Sequence, residues 1–222
     1  GYRTKRFGAL ASRIPASHPL ITNTAIVEAV EQYLSPNTDK IYLNSTQFIV
    51  PYHGQKEQVL HRDRDSWLFL PKSIEPQLNV IWAINEFTEQ NGATRFALRS
   101  QTWDPERQAL ANEVARATMP AGSALIFNGS VIHGGGENSS LLPRIGLAFS
   151  YCLAWLRAEE NQFLSCPPEI ARDLDPQLQD LLGYTTMSGA LGYYSDPYAD
   201  IEHAGIKPPE NAIGRQVMLE SE

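Results

Sequence analysis

The feature that most constrains this fold is a succession of short apolar segments between residues 41 and 156. Each is rich in β-branched and aromatic residues, and each ends in Gly, Pro, Asn or Ser. IYLNSTQFIV (41–50) reads as a strand. LNVIWAINEF (78–87), TRFALRS (94–100), ALIF (124–127) and RIGLAFSYCLAWL (144–156) follow, with breaks such as EQNGAT and MPAGSA between them. A chain punctuated this way is directed to a barrel or sandwich rather than to repeated βαβ units.

Helices are expected at the flanks. TAIVEAVEQYL (24–34) carries apolar residues at helical spacing and is ended by SPNTDK. DPERQALANEVARA (104–117) is a helix or a rim insertion, and PPEIARDLDPQLQDLLGY predicts one or two short helices divided at Pro176. The Gly-, Pro- and Tyr-rich SGALGYYSDPYADIEHAGIKPPE reads as a loop or lid. With 222 residues and 42% hydrophobic content, the chain suffices for one well-packed domain over 1–222. Its core is expected at about 41–156 and its helical and loop extension at about 165–222.

The net charge of −7 argues against a general nucleic-acid binder, whose surface should be basic. Two cysteines, Cys152 and Cys166, are too few for a disulfide scaffold, and Cys152 reads as a buried thiol. No apolar run reaches the roughly 18 residues of a membrane span, so no stable membrane insertion is expected. No signal peptide is visible, which makes an intracellular, cytoplasmic protein the default expectation. The chain opens on GYRTKRFGAL without Met, so the native chain is expected to begin earlier.

His61 and Asp63 stand two residues apart. On a strand that spacing puts both side chains on one face, about 6.6–6.8 Å apart along the backbone. His133 follows the apolar SALIFNGSVI and precedes three glycines, so a neighbouring strand can bring it over the same face. Two imidazoles and a carboxylate suit non-haem Fe(II); a catalytic zinc site and a hydrogen-bonded core histidine are the competing readings. Asp65 shares the expected face with Asp63. His53 sits in a turn-like PYHGQ context, while His18 and His203 fall in expected loops. Arg144, eleven residues after His133, opens the last long strand. It is either a rim arginine paired with Glu137 or Glu160, or a fork holding a dicarboxylate co-substrate.

HRD, then GSVIHGGGENSS, then PR resembles the phytanoyl-CoA dioxygenase-like family of Fe(II)- and 2-oxoglutarate-dependent oxygenases. WAINEFTEQNGATRFALRSQTW resembles the segment after that family's first metal pair. SYCLAWLRAEENQFL resembles its natural-product branch, in which fungal enzymes tailor terpenoids and alkaloids. The resemblance covers residues 2–184. It implies a mostly β, double-stranded β-helix (jelly-roll, cupin-like) core with flanking helices. By the same resemblance His61, Asp63 and His133 hold iron, Arg144 holds the distal carboxylate of 2-oxoglutarate, and Gln58 and Thr94 line the co-substrate site. ALRSQTW departs from the PGSH-like segment that often follows the NG turn in that family. The family usually adds an N-terminal portion covering part of the substrate site.

The implied activity consumes dioxygen and 2-oxoglutarate and oxidises a small hydrophobic terpenoid, meroterpenoid or alkaloid by hydroxylation, desaturation or rearrangement. Trp67 and Phe69, by strand parity with Asp63, and Asn128 and Ser130, before His133, are candidate substrate contacts. Tyr151 and Trp155 read as core residues. The Tyr-rich tail is a candidate lid or homodimer contact. The alternatives are an acyl-CoA hydroxylase of the same family, a zinc-dependent hydrolase and a non-catalytic β-barrel interaction protein.

Overall fold

The computed structural model describes residues 2–202 and 204–217. The chain divides into two compact units, Gly1–Gly8 with Ser45–Ser150, and Ala9–Asn44 with Tyr151–Glu222. In the first, β1 (Thr4–Phe7) runs antiparallel to β2 (Ile41–Pro51), from Thr4 opposite Pro51 to Phe7 opposite Phe48. The two rings at that last pair stack with centroids 4.9 Å apart. β3 (Gln77–Ala83) pairs antiparallel with β6 (Ala124–Asn128), after β4 (Arg95–Ala97) and β5 (Val114–Arg116) have intervened in the chain. β7 (His133–Gly134) and β8 (Gly146–Leu153) complete the set. The sheet orders are β1-β2-β8-β3-β6 and β5-β4-β7. Phe87, Ala83 and Ala93 form a buried cluster with Ile81 and Met119 packed against it.

This is a mixed α/β fold with several antiparallel sheets, and among the described residues no ladder closes them into a jelly-roll barrel. The reason is local. The expected strand 94–100 shortens to three residues because Arg99 takes a left-handed conformation (φ 61°) and opens a 3₁₀ turn over Ser100–Thr102. Residues 104–117 hold a 3₁₀ turn and β5 rather than an α-helix. The strand expected to carry His61 and Asp63 reduces to an isolated bridge at His61, followed by a 3₁₀ helix over Asp63–Trp67.

In the second unit, α1 (Leu10–Arg13) and α2 (His18–Ile21) precede α3 (Thr24–Leu34). Asn23 caps α3, its side chain accepting from the Ile26 N–H. The helix buries Ile26, Val27, Val30 and Leu34, each contributing about 1.5–3 kcal/mol relative to exposure. A carboxylate in place of Val30 would break that seam. His18 opens α2 instead of lying in a loop, with Nε2 2.7 Å from the Ala11 carbonyl. Beyond β8 come α4 (Gln162–Ser165), α5 (Pro168–Ala171) and α6 (Pro176–Leu181). Pro176 is the first residue of α6, where its missing N–H costs nothing, and Asp175 caps it. The expected loop beyond contains β9 (Tyr194–Ser195) paired with β10 (Ile206–Lys207).

Tyr151 is a core residue, its hydroxyl donating to the Ile21 carbonyl at 2.7 Å. Trp155 is not: it is 39% exposed, with Nε1 donating to the Asn37 carbonyl. Cys152 and Cys166 are both free and buried. No described helix is long and apolar enough to cross a membrane. His203 lies outside the described residues.

Candidate metal centre

His61 and His133 face each other across a two-bond bridge. The His61 N–H donates to the His133 carbonyl at 2.9 Å, and the His133 N–H returns the bond at 3.0 Å. Their rings lie 4.6 Å apart. Each imidazole is turned by a local contact: Nδ1 of His61 meets the Val59 carbonyl at 2.9 Å, and Nδ1 of His133 meets the Val131 carbonyl at 3.0 Å. That leaves both Nε2 atoms for a metal. The 3₁₀ turn starting at Asp63 swings its carboxylate between them, with Oδ1 3.3 Å from Nε2 of His61 and Oδ2 3.3 Å from Nε2 of His133. All candidate ligand atoms lie within 4.8 Å of one another. The pairing expected from strand parity is thus achieved by a bridge and a turn. Asp65, exposed on the same turn, is not in the cluster.

The charges respond to this crowding. The hydrogen bond to Asp63 holds the His61 imidazole above its ordinary value. Burial pushes His133 down. Burial also pushes the Asp63 carboxyl up, but its contacts with His61, His133 and Asn79 outweigh that and leave it below the usual range.

Glycines let the backbone come this close. A Cβ at Gly136 would stand 2.6 Å from the Ala93 carbonyl oxygen, and one at Gly92 (φ 90°) 2.7 Å from that of Gly136. The NG and GGG runs therefore belong to one contact. Gln58 joins them: its N–H donates to the Gly135 carbonyl at 2.9 Å, and its Oε1 accepts from the Gly135 N–H at 3.2 Å.

Arg144 is 5% exposed, and no carboxylate lies within ion-pair distance of it among the described residues. Glu137 instead pairs with Lys56 at 2.7 Å, and Glu160 accepts from the Ala9 N–H. Nη1 of Arg144 donates to Oγ1 of buried Thr94 at 3.3 Å, its ring neighbour is Phe87, and its Nε is buried without a hydrogen-bond partner. Burial and the nearby charge of Arg6 bring its guanidinium down to about 10. Thr94 immediately precedes β4, whose Phe96 is the register partner of His133. A buried guanidinium with no carboxylate partner among the described residues is a group that wants an anion.

The other candidates divide. Trp67 is half-buried on the 3₁₀ turn. Phe69 lies beyond it, 100% exposed, so the parity argument linking both to Asp63 fails. Asn128 ends β6, opposite Leu78. The Ser130 hydroxyl donates to Glu75 at 2.6 Å and accepts from Arg64 at 3.2 Å. His53 is in a turn, its Nδ1 2.8 Å from the Ser140 carbonyl. Sequence reasoning missed Arg6, Asn79 and Phe127. The polar residues at 77 and 79 in the otherwise apolar QLNVIWA were the available signal for Asn79.

The profile of the family described as Phytanoyl-CoA dioxygenase (PhyH) matches residues 9–146. The dioxygenase FUM3 of Gibberella moniliformis is 30% identical over 218 residues, covering 93% of this chain and 73% of its own. The multifunctional dioxygenase ausE of Aspergillus calidoustus is 30% identical over 227 residues, covering 92% and 76%. Among solved structures, the non-haem alpha-ketoglutarate-dependent epimerase SnoN from nogalamycin biosynthesis shares the fold. It superposes with a TM-score of 0.55 at 17% identity, covering 68% of this chain and 63% of its own, so this chain spans less than two thirds of that structure.

Proposed function

The chain belongs to the phytanoyl-CoA dioxygenase (PhyH) family of Fe(II)/2-oxoglutarate-dependent oxygenases, and from that premise we propose that it oxidises a hydrophobic secondary metabolite. Terpenoids, meroterpenoids and alkaloids are the substrate classes, with hydroxylation, desaturation or rearrangement as the outcome. The observation that carries the assignment of residues is buried Arg144, which has no carboxylate within ion-pair distance among the described residues and bonds Thr94, next to the strand that pairs with His133.

In this reading His61, Asp63 and His133 hold Fe(II), and the N,N,O donor set fits that ion while leaving positions open. Arg144 takes the distal carboxylate of 2-oxoglutarate as a charge-assisted pair. Thr94 fixes the guanidinium through its hydroxyl, and Arg6 adds positive charge nearby. Gln58 braces the Gly135 backbone beside His133. The bound iron, 2-oxoglutarate and dioxygen together supply the oxidising power, with succinate and carbon dioxide released. The protein orients the substrate and keeps water from the site.

A hydrophobic substrate is supported by Val59, Leu68 and Phe69, which present large apolar side chains to solvent within six residues of a metal ligand. Trp67, Asn128 and Ser130 remain candidate contacts, Ser130 through its link to Glu75 and Arg64. The net charge of −7 gives an acyl-CoA phosphate little attraction.

The five- and three-stranded sheets are read as the faces of an open double-stranded β-helix, and 1–222 as a single dioxygenase domain. Its core is about 41–156 and its extension about 165–222. The family match over 9–146 draws on segments of both units, which supports one domain. Exposed Tyr193, Tyr198 and Ile201 support a homodimer or lid role for the tail, and two free cysteines support a reducing, cytoplasmic setting.

Incubation with Fe(II), 2-oxoglutarate, air and a panel of apolar terpenoids and alkaloids tests the substrate class. Substrate-dependent succinate matched to an oxidised product is expected. Succinate produced with acyl-CoA thioesters alone would replace this class with the acyl-CoA reading.

A further inference from the structure

β3 and β6 stand behind the triad, and their register places Asn79 directly opposite Phe127. Cross-strand partners share a face, and both side chains of this pair reach the metal ligands. Nδ2 of Asn79 donates to Oδ2 of Asp63 at 2.9 Å. The Phe127 ring lies 4.6 Å from the His133 ring, centroid to centroid. Gln77, two residues earlier on β3 and so on the same face, donates from Nε2 to Oδ1 of Asn79 at 3.4 Å. Gln77 and Asn79 are 1% and 6% exposed, in a strand whose other members are apolar.

A buried amide in an apolar strand costs free energy unless it is hydrogen-bonded. Here both ends of the Asn79 amide are used. Its oxygen accepts from Gln77, which sets the orientation of the amide, and its nitrogen therefore points at the carboxylate. Asp63 itself sits on a short 3₁₀ turn, which constrains its side chain less than a sheet ladder would. The two histidines are already held, through Nδ1, by carbonyls close in sequence. Asp63 is the ligand that needs an external brace, and β3 supplies it.

We propose that Asn79 is a positioning residue for the metal centre. Held by Gln77, it grips Oδ2 of Asp63 so that the carboxylate presents Oδ1 to the metal on the side facing His61. A carboxylate gripped at one oxygen is kept from taking two coordination positions, and those positions are needed by the co-substrates. This rests on the triad being the metal site. It goes beyond that assignment by naming the group that orients its acid.

The test uses the full chain, metal-free, titrated with Co(II) under argon and followed by its visible d–d absorption and by calorimetry. Asn79→Leu removes the donor at similar volume, and Asn79→Ser keeps a hydroxyl donor on a shorter arm. His61→Ala is the control that removes a ligand. Loss of an outer partner of this kind weakens metal binding by about 10–100-fold. The expected result is a loss of that size in Asn79→Leu with an altered Co(II) spectrum, smaller in Asn79→Ser. Gln77→Met should shift both in the same direction by less. A merely structural asparagine would lower the melting temperature and leave the affinity and spectrum of the folded fraction unchanged, and that outcome overturns the proposal. If Asn79→Leu does not fold, Gln77→Met decides by the same two readouts. Should the parent bind Co(II) no better than His61→Ala, the metal assignment falls and this proposal with it. Parent-like binding in the Asn79 variants, with binding lost in His61→Ala, removes only the proposal.

Discussion

Replacing His61 with alanine is expected to abolish stoichiometric Fe(II) binding while leaving the protein folded. His61 is only partly buried and its backbone bridge to His133 does not depend on the imidazole, so the fold survives the truncation. The metal loses one of three protein ligands. The drop in affinity should exceed the roughly 10–100-fold that follows loss of an outer-shell partner. Iron content after anaerobic loading and desalting measures it, with circular dichroism as the check on folding. Stoichiometric iron in folded His61→Ala would remove His61 from the ligand set.

Arg144→Ala is expected to separate the co-substrate from the metal. The guanidinium is buried, bonded to Thr94 and without a carboxylate in ion-pair distance among the described residues, and in the proposed reading its partner is the distal carboxylate of 2-oxoglutarate. Truncating one member of a buried, hydrogen-bonded charge pair costs about 2–5 kcal/mol, roughly 30- to 5,000-fold in affinity. Iron loading should stay near parental, since Arg144 is not among the metal-ligating groups. Calorimetric titration of the Fe(II)-loaded protein with 2-oxoglutarate under argon gives the number. Parental affinity in Arg144→Ala would sink the anchor assignment.

The triad was legible because a spacing of two and an imidazole next to a glycine run survive whatever local geometry delivers them. The geometry itself was not legible. HRDRDSW reads as a continuing strand, yet the chain turns at Asp63 into a 3₁₀ helix, and parity beyond that point carries no information. Phe69, a candidate substrate contact by that parity, is fully exposed for this reason. TRFALRS looks like a seven-residue strand, but the left-handed Arg99 ends it early, and single-residue conformations of that kind have no hydrophobic signature. Arg144 stood out as a charge opening an apolar strand. That it has no acidic partner among the described residues appeared only once Glu137 and Glu160 were seen to be engaged elsewhere. Asn79 and Phe127 were passed over because their role depends on the β3–β6 register, a long-range pairing that alternation along one segment does not reveal. The roles of NG and GGG likewise emerged from a contact across 44 residues, where Gly92 and Gly136 meet.

The central claim is that the His61, Asp63 and His133 site holds Fe(II) and presents it to 2-oxoglutarate anchored by Arg144. Anaerobic titration of the Fe(II)-loaded protein with 2-oxoglutarate, followed by visible absorption beside His61→Ala, tests it most directly. A weak metal-to-ligand charge-transfer band that saturates in the parent and is missing in His61→Ala is the predicted result. Folded, iron-loaded parent protein that develops no band on saturation with 2-oxoglutarate would contradict it.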